Sequence, residues 1–169
     1  EYERKKNLSL VKDKKYSYAL ELGSGAGYYT KIFLRFSKKM YAVDLSLRML
    51  DKIKSSKVIK IVGDVERVKL KKKFDLILCF GVLEFNNNYN KILKNIFLHS
   101  HKNTNIYLMM PYSNLFCAIY SKFHNTNKIN LNIKSEYYIN NILNRWFRIK
   151  EEKKIFPFSK IFLCQKKID

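Results

Sequence analysis

Apolar residues recur along this chain in two rhythms, short continuous runs and segments with one apolar position every three or four residues, and the two alternate. The first run predicts a strand at Tyr18–Leu22 and the segment after it a helix from about Tyr28 to Ser37. "KKMYAVD" predicts a second strand ending on Asp44, Ser46 caps a helix reaching about Lys54, and "VIKIVGD" predicts a third strand ending near Asp64. "FDLILCF" is uninterrupted by polar positions after Asp75, as expected of a fourth strand covered on both faces. A helix from about Tyr89 to His101 carries Ile92, Leu93, Ile96 and Phe97 on one side, and "NIYLMMP" predicts a fifth strand stopped by Pro111. Alternation of this kind is the signature of an α/β fold.

After Pro111 the rhythm breaks. "YSNLFCAIYSKFHNTNKINLNIKS" is aromatic-rich and too long for an ordinary connection, which marks residues 111–135 as a lid-like insertion. "SEYYINNILNRW" then predicts a helix with Ser135 at its N-cap. Two strands follow, "FRIKEEKKIF" and "KIFLCQKKI", joined through Pro157, and so short a connection makes them pair antiparallel. There is no internal repeat and no Gly/Ser-rich linker, so residues 1–169 are read as a single domain. The first residue is Glu1, not Met, and the expectation is that an upstream segment has been removed or was left out of this sequence.

The chemistry concentrates where the first strand meets its helix. "GSGAG" sets Gly23, Gly25 and Gly27 in a GxGxG arrangement, whereas a dinucleotide turn needs its third glycine at position 28, which is Tyr. No GK[ST] follows, so it is not a phosphate-cradling P-loop either. A ligand without a pyrophosphate is favoured. Asp44, at the end of the second strand, is placed to accept from both hydroxyls of a ribose, and Asp64, at the end of the third, to accept from an exocyclic amine such as that of adenine. These ends share the ligand side of an open α/β sheet. Either acid could instead cap a helix or turn. Glu21 on an apolar strand needs partners for its carboxylate, and the amides of the glycine turn are the expected ones.

"ELGSGAG", "VDLSLRML", "GDVERV", "FDLILCFGVLEF" and "IYLMMP", in this order at intervals of about twenty residues, resemble the class I S-adenosylmethionine-dependent methyltransferases. The resemblance implies a Rossmann-like three-layer sandwich whose seven-stranded, mostly parallel sheet ends in an antiparallel hairpin. It further implies that Glu21, Gly23, Ser24, Gly25 and Gly27 surround the methionine part of S-adenosyl-L-methionine, and that Asp44 binds the ribose with Leu45 and Met49 against the adenine. Asp64 and the Val65 backbone would meet the adenine edge, and Phe80 and Gly81 would offer carbonyls to the amino group. Met49 also suits an ordinary core position.

For the acceptor, "FGVLEF" contains neither [DN]PP[YF] nor a Pro-Cys nucleophile, and it resembles the branch acting on small metabolites. Many of those relatives carry a histidine where this chain has Phe85. Tyr112, Tyr120 and His124 of the insertion are the remaining catalytic candidates, although a histidine in "HNTN" is more often solvated. Tyr112, Phe116, Tyr120 and Phe123 share one helical face that suits an apolar or aromatic acceptor. His99 and His101 are expected on the surface, as partners of a helix C-terminus. No metal ligand set is predicted, and in-line methyl transfer does not require one.

Composition widens the choice of partner. Thirty-four basic against fourteen acidic side chains give a net charge of +20, which suits RNA or peripheral contact with an anionic membrane. The same excess of Lys, Asn and Ile is what an A/T-biased genome produces without selection for binding. Hence an RNA methyltransferase is the first alternative to an enzyme for a small acceptor, and a non-catalytic interaction module with this fold is the second. No apolar run reaches the ~20 residues of a membrane span. Cys79, Cys117 and Cys164 show no metal-ligand spacing, which predicts reduced, buried thiols in a cytoplasmic protein.

Overall fold

The computed structural model describes residues 14–113, 119, 122, 131–156 and 159–167. Seven strands form one sheet: β1 (Tyr16–Leu22), β2 (Ser37–Asp44), β3 (Val58–Val62), β4 (Phe74–Phe80), β5 (Ser100–Pro111), β6 (Phe147–Ile155) and β7 (Ser159–Lys166). Their order across the sheet is β3-β2-β1-β4-β5-β7-β6. The first five are parallel, and β7 runs antiparallel to both β5 and β6. The sequence-based strands agree with these, β5 beginning earlier than expected because Ser100–Asn105 continue the extended chain.

Among the described residues, four α-helices flank the sheet: α1 (Tyr28–Phe33), α2 (Leu47–Leu50), α3 (Tyr89–His99) and α4 (Glu136–Trp146). Ser46 and Ser135 cap α2 and α4 as expected, their hydroxyls accepting from the Met49 and Tyr138 amides. The helix from Tyr28 and the helix after Ser46 are shorter than their patterns suggested. Leu34–Phe36 tightens into a 3₁₀ turn, and α2 ends after one turn.

Side chains of β4 alternate across the sheet and fill a core on each face. Leu76, Leu78 and Phe80 pack with Phe33, Met40 and Tyr107. Ile77 and Cys79 pack instead with Leu93, Ile96, Ile142 and Phe162 beneath α3 and α4. This double coverage is why "FDLILCF" carries no alternating polar positions beyond Asp75. Cys79 and Cys164 are buried free thiols; Cys117 lies outside the described residues. No helix among the described residues is long and apolar enough to cross a membrane.

Strand order reverses between β1 and β4, since the chain winds outward from β1 through β2 and β3 and then returns to β4 on the other side. The carboxyl ends of these strands surround that switch point, where parallel α/β sheets open a crevice.

Candidate functional site

A cavity of about 380 Å³ opens at this crevice, walled by the residues just beyond β1 (Gly23, Gly25), β2 (Asp44, Leu45), β3 (Asp64, Val65) and β4 (Gly81, Val82). The first turn is tight because its backbone is tied to β2. Gly23 and Ser24 amides both donate to the Val43 carbonyl, at 2.8 and 3.0 Å, and the Gly25 amide donates to Asp44 Oδ2 at 2.8 Å. Two glycines make the turn sterically feasible, and for different reasons. At Gly23 (φ +74°) a Cβ would sit 2.3 Å from Val82 Cγ2, whereas at Gly25 (φ +52°) a Cβ would meet nothing within 4 Å. Space over Gly25 is therefore left free for a ligand.

Both acids cap turns and still face the cavity, so the two roles considered for them coexist. Asp44 takes the Gly25 amide on one oxygen and the Ser46 amide, at 2.9 Å, on the other. Each oxygen keeps a lone pair for a hydroxyl. Asp64 Oδ1 accepts from the Glu66 amide at 2.8 Å, with Arg67 3.6 Å from Oδ2. These carboxylates are the ionisable side chains of the cavity wall.

Glu21 behaves differently from the sequence-based expectation. The glycine-turn amides are engaged by Val43 and Asp44, and the hydroxyl of Thr30 on α1 donates to Glu21 Oε2 at 2.5 Å instead. Complete burial pushes this carboxyl up to about 8, so it is largely protonated near neutral pH. It supports the turn from beneath and does not line the cavity. Gly27 is also in the supporting layer, where a Cβ would press on Ile53 at 2.5 Å. Ser24 is buried with its hydroxyl unpartnered, an orphaned polar atom in the same turn.

Of the remaining anticipated residues, Leu45 is 72% exposed at the rim and Val65 is buried in the wall. Met49, the alternative core candidate, is 41% exposed and lies outside the lining. Phe80 packs its ring on Tyr29 and Phe33 and, unlike Gly81, is not among the residues lining the cavity. Tyr112 is half-buried away from the lining, bridged to Lys134, with Lys154 Nζ 5.5 Å from its ring centroid. Tyr120 and His124 lie outside the described residues, as does most of the aromatic face expected of the insertion.

Three more wall residues were not assigned to the cavity from sequence. Val82 and Asn86 bracket the 3₁₀ turn Leu83–Phe85, too short for periodicity to reveal, and Phe85, noted in "FGVLEF" only for standing where relatives carry a histidine, lines the wall from within it. Phe85 is 56% exposed at the mouth. Asn132 fastens this rim: its amide donates to the Glu84 carbonyl at 2.7 Å, its side chain to the Asn86 carbonyl at 2.9 Å, and its own carbonyl accepts from Tyr89 Oη at 2.7 Å. Glu84 is buried beneath the turn, pushed up to about 7 by burial, with Oε2 unpartnered. His99 is buried rather than surface-exposed; its Nε2 accepts from the Leu70 amide at 2.9 Å. His101 pairs with Asp75 at 3.1 Å.

Comparison with known proteins places this geometry among methyl-transferring folds. The DREV methyltransferase family model matches residues 4–161. Malonyl-[acyl-carrier protein] O-methyltransferase of Bacillus cereus is 31% identical over 86 residues, 47% of this chain and 32% of that protein. Its counterpart from Priestia megaterium is 30% identical over 84 residues, 46% of this chain and 31% of that protein. The matches thus span about a third of the length of these curated relatives. Among solved structures, the putative methyltransferase bound to the Trm112 methyltransferase activator of Haloferax volcanii superposes with a TM-score of 0.84 at 12% identity, covering 98% of this chain and 89% of that one. N-methyltransferase NodS of Bradyrhizobium japonicum, in complex with S-adenosyl-L-homocysteine, gives 0.77 at 14% identity, covering 98% and 87%.

Proposed function

This chain belongs to the DREV methyltransferase family, and from that premise we propose that it transfers the methyl group of S-adenosyl-L-methionine to a small, apolar or aromatic acceptor by in-line displacement. The observation that carries the reading is the cavity at the β1/β4 switch point, with the open face of Gly25 on one side and Asp44 and Asp64 on the other. That set fits a nucleoside bearing a polar tail. The carboxylates keep lone pairs that would accept from hydroxyls and an exocyclic amine, an unpartnered Ser24 hydroxyl lies in the turn, and among the described residues no basic side chain lines the wall to receive a pyrophosphate.

S-adenosyl-L-methionine supplies, when bound, a methyl group on a positively charged sulfur. The chain's own residues have to bind and align. In this reading Asp44 and Leu45 hold the ribose and one adenine face, Asp64 and the Val65 backbone hold the adenine edge, and the Phe80 and Gly81 carbonyls face the amino group. The two acids contribute attraction for a cation without needing to transfer a proton. Alignment of nucleophile, methyl and sulfur can supply much of the acceleration. Phe85 and Leu45, exposed at the mouth, are the surfaces an apolar acceptor would meet first.

The small-acceptor reading draws support from the names of the relatives and neighbours, which include the acyl-carrier-protein O-methyltransferases and magnesium protoporphyrin IX methyltransferase of Synechocystis. An RNA acceptor is a second reading, favoured by the +20 charge and by a groove of about 670 Å³ beside the cavity that carries Arg67, Lys69, Lys91 and Lys94. Incubating the protein with methyl-labelled cofactor and extracts separated into RNA, protein, lipid and small metabolites tests both. Label in the small-metabolite fraction, or on a carrier protein in a form that base hydrolysis releases, is the expected outcome; label confined to RNA, or to protein in a base-stable form, overturns the small-acceptor reading. Absence of S-adenosylhomocysteine binding by calorimetry would instead favour an interaction module.

A further inference from the structure

We infer that Asn95 and His99, one helical turn apart on α3, are positioning residues for the adenine end of the cofactor pocket, an inference that rests on the cofactor reading above. The loop from Asp64 to Leu70 has two sides. Asp64 and Val65 form part of the cavity wall, while Val68 and Leu70 pack on the core and two polar side chains of α3 bond to the loop's backbone. Asn95 Nδ2 donates to the Val65 carbonyl at 2.8 Å, near the beginning of the loop. His99 Nε2 accepts from the Leu70 amide at 2.9 Å, at its end. Positions four apart lie on one face of a helix, so a single rigid element grips the loop at two points.

Between those points the loop is internally tied. The Arg67 and Val68 amides donate to the Asp64 carbonyl at 3.0 and 2.8 Å, and the Glu66 amide donates to the Asp64 carboxylate. Lys91 on α3 adds an ion pair to Glu66 at 3.5 Å. The loop therefore moves as a unit, and loss of either attachment displaces Asp64 and Val65 together. Asn95 and His99 are only 5% and 4% exposed, so water cannot easily replace what they offer.

The histidine grip requires one protonation state. Nε2 accepts a hydrogen bond and must be bare, so the ring proton is on Nδ1, donating to the Asn95 main-chain carbonyl at 2.8 Å. A second proton would set one N–H against another. Burial, opposed by the bond to Asn95 and reinforced by the positive charge of Lys73, holds His99 below its ordinary value. The surrounding charges are Lys73 ahead of β4, Lys166 on β7, Lys94 on α3 itself, and the Glu66–Lys91 pair on the loop side. The His101–Asp75 pair joins the start of β5 to the start of β4.

The test measures affinity for S-adenosylhomocysteine and for methylthioadenosine, which has the nucleoside without the amino-acid tail. Asn95→Leu should weaken both by the same factor, about tenfold. Wild-type affinity should fall as pH drops below 6.5, the direction set by the lowered His99 value, and His99→Gln should lessen that fall while the carboxyls of Glu84 and Glu21 titrate as before. The inference is overturned if Asn95→Leu binds both ligands as wild type does, if it loses only the ligand with the amino-acid tail, or if His99→Gln keeps the wild-type pH slope. Should Asn95→Leu not fold, the His99→Gln slope decides alone. Failure of the wild type to bind either ligand would remove the cofactor reading itself, and the inference with it.

Discussion

Gly23 and Gly25 are two residues apart, share a left-handed backbone and do different work. A side chain at Gly23 collides with Val82 inside the protein, so Gly23→Ala should lower the thermal midpoint by several degrees. A side chain at Gly25 projects into open space and carries only conformational strain, about 1–2 kcal/mol. Gly25→Leu should thus remain folded in a melting experiment while binding S-adenosylhomocysteine at least tenfold more weakly. Glu21 makes a second residue-scale prediction. Its carboxyl is raised from 4.5 to about 8, so the folded state holds the proton more tightly than the unfolded one. Glu21 therefore contributes fully below pH 4.5, and stability declines as pH rises toward 8. Glu21→Gln should flatten that decline, read as a smaller difference in urea midpoint between pH 5 and pH 9. At this scale the sequence revealed the glycines and the two strand-end acids, because backbone conformation and strand position follow from local pattern. It misassigned the partner of Glu21, since the amides nearest in sequence are already taken by β2, across the sheet.

At the scale of elements, the strand runs, both serine caps and the antiparallel hairpin were legible, because each depends on residues within a few positions of one another. Helix ends were less so: the one-turn α2 and the 3₁₀ turns after α1 and β4 are set by packing on the sheet, not by propensity. Burial of His99 was invisible for a related reason. Its partners, Leu70 and Asn95, come from a loop and a helix whose approach only the tertiary fold defines. Lys160 shows how charges join elements. It is 2% exposed on β7, ion-paired with Glu136 of α4 and with Glu152 of β6 at 2.8 Å. The hydrogen bond from Lys160 is the main influence holding Glu136 below its ordinary value, against a modest desolvation. Glu136 thus contributes stability above pH 4.5 that is lost as pH falls. Lys160→Ala removes the cation shared by two partly exposed carboxylates, with Lys154 still beside Glu136, and should destabilise the protein by about 1 kcal/mol in denaturant titration.

For the whole molecule, fold class could be anticipated because alternating apolar runs and helical segments are the α/β signature, whereas the strand order, with β7 between β5 and β6, came from the structure. The groove formed by Arg67, Lys69, Lys91 and Lys94 could not be anticipated, since its cations come from two separated segments. The global excess of positive charge makes a prediction that distinguishes attraction from catalysis. RNA should bind with an affinity that falls steeply with salt, and a four-fold reversal of the groove cations to Glu should reduce the salt slope. If RNA is only a counter-ion, S-adenosylhomocysteine binding at fixed ionic strength should not respond to added RNA. The sheet order also bears on how the chain acquires its structure. β7, the last strand in sequence, is flanked by β5 and β6, both made before it. Until β7 leaves the ribosome, β5 has an open edge and β6 has no strand to join, so one half of the sheet waits on Ser159–Lys166. Such late closure between distant segments is slow and leaves an adhesive edge exposed during synthesis. A nascent chain stalled before Ser159 would depend on a chaperone to keep that edge from pairing with a neighbour.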